Sequence, residues 1–147
     1  MVHVNIYGYM KRYIIAKLRV INEGHYINGS TVVVQPFERN WIKQIVPIDI
    51  KKGNYQIGAI ADCAFNVCYV GRAIDQPLQT RILQHPEYLD DNHYFCCKAA
   101  DKDEEAIYQE CIDYHSFGED EWLDNECHPA LPEGEECSWV GCGHIGK

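Results

Sequence analysis

Apolar and polar positions are most sharply patterned between Gly53 and His85, where the chain reads GNYQIGAIADCAFNVCYVGRAIDQPLQTRILQH. Two runs rich in β-branched and aromatic residues flank a turn-like centre, Asp62 to Asn66, which predicts an antiparallel hairpin. Its strands are residues 55–61, with Tyr55, Ile57, Ala59 and Ala61 on one face, and residues 67–71. If Tyr55 lies opposite Tyr69, the turn centres on Asp62, yet the better turn residues centre near Ala64; a bulge at Gly58 reconciles the two. Asp75-Gln76-Pro77 then reads as a helix start, with Asp75 as N-cap and Pro77 in the first turn. Leu78, Ile82 and Leu83 form the buried stripe of that helix, Arg81 and His85 stand one turn apart on it, and Pro86 ends it.

Residues 93–99 alternate as a third strand. Asp101 opens a second helix with an Asp-x-x-Glu box ending at Glu104, and Gly118 closes it. Ile107, Cys111 and Tyr114 make its apolar face and Glu110 borders that face. Ahead of Gly53 the pattern is mostly strand-like. Val2, Val4 and Ile6 alternate with polar residues, residues 13–21 suit a strand or a short helix, and residues 31–34 follow an Asn-Gly-Ser turn signal. Residues 37–41 read as a loop or short helix and residues 45–50 as an edge strand holding Pro47. Residues 119–147 read as irregular. The pattern as a whole is α+β, with an N-terminal β-rich extension over residues 1–52, a core over 53–130 and an irregular cysteine-containing tail over 131–147.

Composition changes this picture in two places. The 147 residues suffice for one domain with a core, and 46% hydrophobic content is ordinary for a globular chain. No apolar run approaches membrane-spanning length and residues 1–17 lack a secretory pattern, so a cytoplasmic protein with no membrane partner is expected. That expectation makes the eight cysteines reduced thiols rather than a disulfide scaffold. Net charge is −9, but it is unevenly spread. Residues 1–85 hold 10 Lys+Arg against 5 Asp+Glu; residues 86–147 hold 3 against 17. A basic half can face phosphates while the acidic half points away or holds a cation. Lys51, Lys52 and Arg72 are the basic residues nearest the core and the candidate nucleic-acid contacts, with Lys11, Arg12, Lys17, Arg19 and Lys43 further out. Scattered lysines also simply face water, and the acidic half also suits a basic protein partner.

The hairpin and helix together gather two phenols, a guanidinium and an imidazole, a set suited to an anionic substrate and proton transfer. In that order they resemble the GIY-YIG nuclease family. Tyr69-Val70-Gly71 stands as the second motif and Gly53-Asn54-Tyr55 as the first, with Asn54 where an aliphatic residue is usual. Arg81, His85, Glu110 and Asn125 match the family's helix arginine, the histidine after it, its metal-binding glutamate and its late asparagine. The resemblance implies a small central antiparallel three-stranded sheet flanked by helices and a phosphodiester hydrolase, an endonuclease acting on DNA, most simply double-stranded. It implies Mg²⁺ or Mn²⁺ held by Glu110, with Glu105 as the competing ligand, since a hard cation takes carboxylate oxygen. It also implies Tyr55 as the residue that orients or deprotonates water, assisted by Tyr69 and His85, Arg81 on the non-bridging oxygens, and Asn125 positioning the phosphate or bracing the site. Cutting both strands would take a homodimer or two sequential nicks, and an immunity or regulatory protein is a further candidate partner.

Two other readings stand beside it. One is a non-catalytic nucleic-acid or protein-binding module that keeps the fold. The other is a zinc-stabilised interaction domain, because the tail holds Cys127, His128, Cys137, Cys142 and His144. Their spacings lack paired C-x-x-C knuckles, so structural Zn²⁺ is the lesser expectation.

Overall fold

A computed structural model describes residues 19–22, 25–27, 34–61, 64–90 and 92–147. The expected strand at residues 2–6, the β-branched residues 31–33, the turn residues Asp62 and Cys63, and Lys11, Arg12 and Lys17 lie outside them. Six strands form one sheet: β1 (Arg19–Asn22), β2 (His25–Ile27), β3 (Gln35–Pro36), β4 (Gly53–Ala61), β5 (Ala64–Ala73) and β6 (Tyr94–Ala99), in the order β2-β1-β5-β4-β6-β3. The expected three-stranded antiparallel core is present as β5-β4-β6, with β4 central. It is part of a larger sheet, because the N-terminal residues extend both edges. β3 pairs antiparallel with β6, completing four antiparallel strands, and β1 pairs parallel with β5. The α-helices among the described residues are α1 (Arg39–Ile45), α2 (Leu78–Ile82), α3 (Asp103–Ser116) and α4 (Glu119–Trp122), so the fold is α+β. No helix among the described residues is long and apolar enough to cross a membrane.

The sheet is covered on both faces, which explains the nearly continuous burial of β4 in place of simple alternation. On one face Tyr55 and Ile57 pack with Phe37 and Ile42 of the α1 region and with Leu78 and Ile82 of α2. On the other, Phe65, Val67 and Val70 pack with Tyr114 and Phe117 at the end of α3. A third cluster packs the tail on α3 through Ile107, Cys111, Leu131 and Cys137.

The hairpin register departs from expectation in an instructive way. Tyr55 lies opposite Gly71, not Tyr69, and β5 already begins at Ala64. The register does shift between Ile57 and Gly58: Ile57 pairs with Tyr69 and Gly58 with Val67, so the extra residue is Cys68 on the partner strand. Because side chains alternate with period 2, one extra residue swaps the faces of everything beyond it. Val67 and Val70 thus share the α3 face, while Tyr69 joins Tyr55 on the α2 face. Gly71 completes the arrangement. A Cβ there would stand 2.3 Å from the Tyr55 ring, so the phenol lies across bare backbone.

Several local expectations are corrected. Residues 45–50 form no strand. Ile42 and Val46 are one helical turn apart and bury together, so α1 runs to Ile45, and Pro47 follows its C-cap Val46. α2 is five residues long with Pro77, not Asp75, as N-cap. It stops at Ile82, and His85 lies beyond it at φ −120°, ψ 66°, because the residue before a proline is excluded from helical backbone. Pro86–Tyr88 form a 3₁₀ turn. Asp101 does not cap α3. The chain stays extended through the N-cap Lys102, and the Asp101 N–H instead donates to Glu105 Oε2 at 3.4 Å. The tail is not wholly irregular: α4 follows Gly118, and an antiparallel bridge joins Glu136 to Ile145.

Candidate functional site

β1 pairs with only the first residues of β5, Ala64 to Asn66. Past that point the outer edge of β5 has no neighbouring strand among the described residues, and its backbone groups must find other partners. The loop after α4 supplies them. Asn125 Nδ2 donates to the Val70 carbonyl at 2.8 Å, and Asn125 Oδ1 accepts the Val70 N–H at 3.0 Å. Beside it the Asp124 N–H donates to the carbonyl of Cys68, the bulged residue, at 2.7 Å. The Asp124 carboxylate accepts the Tyr88 hydroxyl at 2.7 Å. Asn125 is therefore a brace on β5.

A cleft of about 570 Å³ opens around this edge, lined by Tyr69, Arg72, Arg81, Glu110, Asn125 and His128 among others. α2 and α3 lie on opposite faces of the sheet, yet Arg81 and Glu110 both line this cleft. Arg81 stands at the C-terminal end of α2. Its Nη1 donates to Gln84 Oε1 at 3.0 Å, and a reciprocal Gln76–Gln84 pair holds that glutamine. The Arg81 guanidinium also stands close enough to the Tyr69 phenol for its charge to act on it. Burial raises the Tyr69 pKa, and the Arg81 charge opposes the rise.

Glu110 stands on α3 with its side chain 13% exposed. Burial pushes its pKa up to about 7 despite Arg72 and Arg81. Arg72 Nη1 donates to Glu110 Oε1 at 3.2 Å and to the Ala130 carbonyl at 2.7 Å. Arg72 thus turns inward into the cleft. Of the other expected nucleic-acid contacts, Lys51 is exposed and Lys52 pairs with Asp103 at 2.6 Å. Glu105, the competing acid, lines a separate hollow with Asn54 and Tyr108.

Tyr55 and His85 are behind the cleft rather than on its wall. Tyr55 is 1% exposed and its hydroxyl lies 2.6 Å from His85 Nε2. Burial raises the Tyr55 pKa strongly and lowers that of His85, so phenol and neutral imidazole share one proton as donor and acceptor. His85 Nδ1 faces Glu87 at 3.4 Å, and its ring packs on Tyr69 at a centroid distance of 4.5 Å. Asn54, next to Tyr55, is buried, and its Nδ2 donates to the Ala106 carbonyl at 2.8 Å, tying β4 to the first turn of α3.

Glu110 presents to the cleft a carboxylate, the donor type that hard divalent cations take. Such an ion keeps several of its waters and takes one or two carboxylates plus substrate oxygens. A mostly buried carboxylate beside an open polar cleft offers that, with Arg72 as its present partner. A second set of groups is of a different kind. His115, His128, Cys137 and Cys142 bring their donor atoms within 4.8 Å of one another, a His/Cys cluster capable of holding a metal. The sequence points to His128, Cys137 and Cys142 but not to His115, whose place in an amphipathic helix gives no ligand signal. Cys127 is exposed, and His144 stacks on His128 at 4.0 Å outside the four. Seven cysteines among the described residues are free thiols. Compared with protein families, with curated proteins and with solved structures, the chain finds no match in any of the three.

Proposed function

We propose that the chain is a GIY-YIG-type endonuclease hydrolysing phosphodiester bonds, most simply in double-stranded DNA, with a Mg²⁺ or Mn²⁺ ion held by Glu110. The observation that carries the reading is the shared cleft. A phenol, two guanidinium groups and a buried carboxylate line one hollow large enough for a phosphate and its neighbouring sugars. The order Tyr55, Tyr69, Arg81, His85, Glu110, Asn125 along the chain matches the resemblance noted above, and the departure at Asn54 has a structural use in holding α3.

In this reading Arg81, poised by Gln84, takes the non-bridging oxygens of the scissile phosphate, where its planar fork spreads the growing charge. Tyr69 lines the cleft within reach of the Arg81 charge, so it is the phenol able to orient the attacking water. Tyr55 is too buried for that role. With His85 it holds the back of Tyr69 in place, and His85 Nε2 is a proton acceptor one phenol away. Arg72 swings from Glu110 toward a phosphate when substrate enters. A bound cation, which Glu110 would hold, would supply charge neutralisation at the phosphate. Glu110 must be ionised to hold it, and Arg72 and Arg81 favour that form.

A plasmid-nicking assay with Mg²⁺ and Mn²⁺ tests the proposal. Wild type should nick, while Glu110→Gln and Arg81→Ala should each fall by about a thousandfold, the loss of roughly 4 kcal/mol of transition-state stabilisation. Equal behaviour of all three proteins would remove it. The second reading, a binding module without catalysis, draws on the Arg72–Glu110 pair, which already occupies one carboxylate oxygen. Metal-independent DNA binding with no nicking would favour it.

A further inference from the structure

We propose that His115, His128, Cys137 and Cys142 form a tetrahedral structural zinc site that pins the C-terminal tail to α3 and sets one wall of the cleft. The proposal does not rest on the hydrolytic reading, because its argument uses only the four groups and their partners.

The tautomers carry the first part. His128 Nδ1 lies 2.7 Å from the Pro129 carbonyl, which only accepts, so Nδ1 bears the hydrogen. His115 Nδ1 lies 2.6 Å from the Glu119 carboxylate, so it too bears the hydrogen. Each ring in that tautomer presents an Nε2 lone pair, and the two Nε2 atoms face each other at 3.2 Å. Two lone pairs at that distance repel unless a proton or a metal ion lies between them, and the thiols beside them suit a metal ion. Cys137 Sγ stands 3.4 Å from His115 Nε2, and Cys142 closes the group. With Zn–N of about 2.0–2.1 Å and Zn–S of about 2.3 Å, the edges of a tetrahedron are roughly 3.3 Å between nitrogens and 3.6 Å between nitrogen and sulfur. The observed separations lie close to both.

The second part is the surrounding structure. A ligating histidine usually donates its other N–H to a carboxylate or backbone carbonyl, which fixes the ring and its tautomer. Both imidazoles here do so, one with each kind of partner. The Glu119 partner is reached at the expense of backbone strain. Gly118 has φ +101° and Glu119 follows at φ +60°, the non-glycine residue with positive φ among those described. These two residues reverse the chain after α3 and return the carboxylate to His115, four residues earlier. Two more left-handed glycines, Gly141 and Gly143, flank Cys142 and fold the Cys137–Cys142 loop tightly. The Cys137 N–H donates to the His144 carbonyl at 2.8 Å, and the Trp139 ring stacks on His115 at 5.2 Å and 17°. Mixed imidazole and thiolate donors with four ligands and no open position select zinc over the hard cations.

The consequence for the cleft follows from His128. It belongs both to the cluster and to the cleft lining, and it sits on the same loop as Asn125, the brace on β5. Zinc would thus fix the loop between Asn125 and Pro132 to the helix that carries Glu110.

The test is the metal content of the full chain, purified without a tag or chelator. About one zinc per chain is expected, and cobalt(II) substitution should give the visible bands of a tetrahedral site with a thiolate charge-transfer band. Cys137→Ser and Cys142→Ser should each lose most of the metal, while Cys127→Ser keeps it. Chelation of the wild-type protein should lower its Tm. Less than about 0.2 zinc per chain in the wild type, where one is expected for such a set, would overturn the proposal. So would a Cys137–Cys142 disulfide by mass spectrometry, or full retention of zinc in Cys137→Ser. Because the readout is metal content, a failed nicking assay leaves this result standing, and loss of zinc leaves the nicking result standing.

Discussion

The protein holds two polar centres about α3, and they are built on opposite principles. At the cleft, Glu110 offers hard carboxylate oxygen next to two arginines, beside open space for a ligand. At the end of the same helix, His115 meets His128, Cys137 and Cys142 with their donor atoms turned inward and Trp139 stacked over the top. The first centre has open space beside an Arg72–Glu110 ion pair. The second is closed and held by its own outer contacts, as a structural joint requires. One helix carries both, so the sharpest experiment is to disable each and ask what the other does. Glu110→Gln should abolish nicking, by about a thousandfold, with zinc content unchanged. Cys137→Ser should lose the metal and lower stability by several kcal/mol, since a structural site contributes folding energy directly. Loss of zinc in Glu110→Gln would show that the two centres are a single unit.

The contrast also bears on what the sequence can reveal. The cleft is legible because its parts lie in contiguous strings or at turn spacing: Tyr69-Val70-Gly71, Arg81 with His85, and Glu110 at the border of an apolar helix stripe. The α+β class and the three antiparallel strands are legible from period-2 runs and turn residues. Less is visible wherever tertiary contacts decide. Nothing in the pattern says that β1 pairs no further than Asn66, leaving the edge where the cleft opens, or that Asn125 takes the place of a missing strand. The spacing implies a bulge but puts it on the wrong strand, because pairing and not composition decides which chain carries the extra residue. The burial of Tyr55 depends on that register, which sets its ring over Gly71. His115 is hidden because a helical histidine becomes a ligand only through residues 13 to 27 positions away, far beyond any local spacing.

Backbone geometry offers a subtler comparison between the centres, since both depend on glycine but in different ways. At the cleft the glycine matters for space. Gly71→Ala would drive a methyl into the Tyr55 ring, whose nearest atom is 2.3 Å from where that carbon would sit. Overpacking of this kind costs about 1–3 kcal/mol, and the displaced phenol should break the Tyr55–His85 hydrogen bond. Stability in urea and the nicking rate should fall together. At the Cys137–Cys142 loop the glycines matter for φ. Gly141→Ala has open space but a left-handed backbone, and should cost about 1 kcal/mol. It should leave nicking less affected than Gly71→Ala does. The reverse ranking would mean that the tail, and not the hairpin, sets the cleft.

Removing the loop brace is expected to have a comparable but more local effect. Asn125→Ala deletes two hydrogen bonds to Val70 and leaves a strand N–H and carbonyl to find water. The loss is about 1–3 kcal/mol. Hydrogen exchange should then accelerate at Val70 and stay unchanged at Ile57 in the centre of the sheet. Acceleration throughout β4 would show that the loop holds the whole sheet and not its open edge alone.

The smallest effect concerns pH, and its sign separates the back of the cleft from its front. Burial lowers the His85 pKa, so the folded protein favours neutral imidazole. The unfolded chain then binds more protons than the folded one below about pH 6.5, and stability is lost as pH falls toward the folded pKa. Glu110, raised to about 7, and Asp113, raised to about 6, act in the opposite sense: both bind protons more readily folded than unfolded, so they favour the native state as pH falls. The net slope of the wild type mixes these contributions, and a variant is needed to isolate one of them. In His85→Gln the imidazole contribution disappears while the two carboxyls remain. The difference in unfolding free energy between wild type and variant should therefore shrink from about pH 7 to about pH 5. A constant difference across that range would mean that His85 titrates alike in both states, and that burial does not hold the ring neutral.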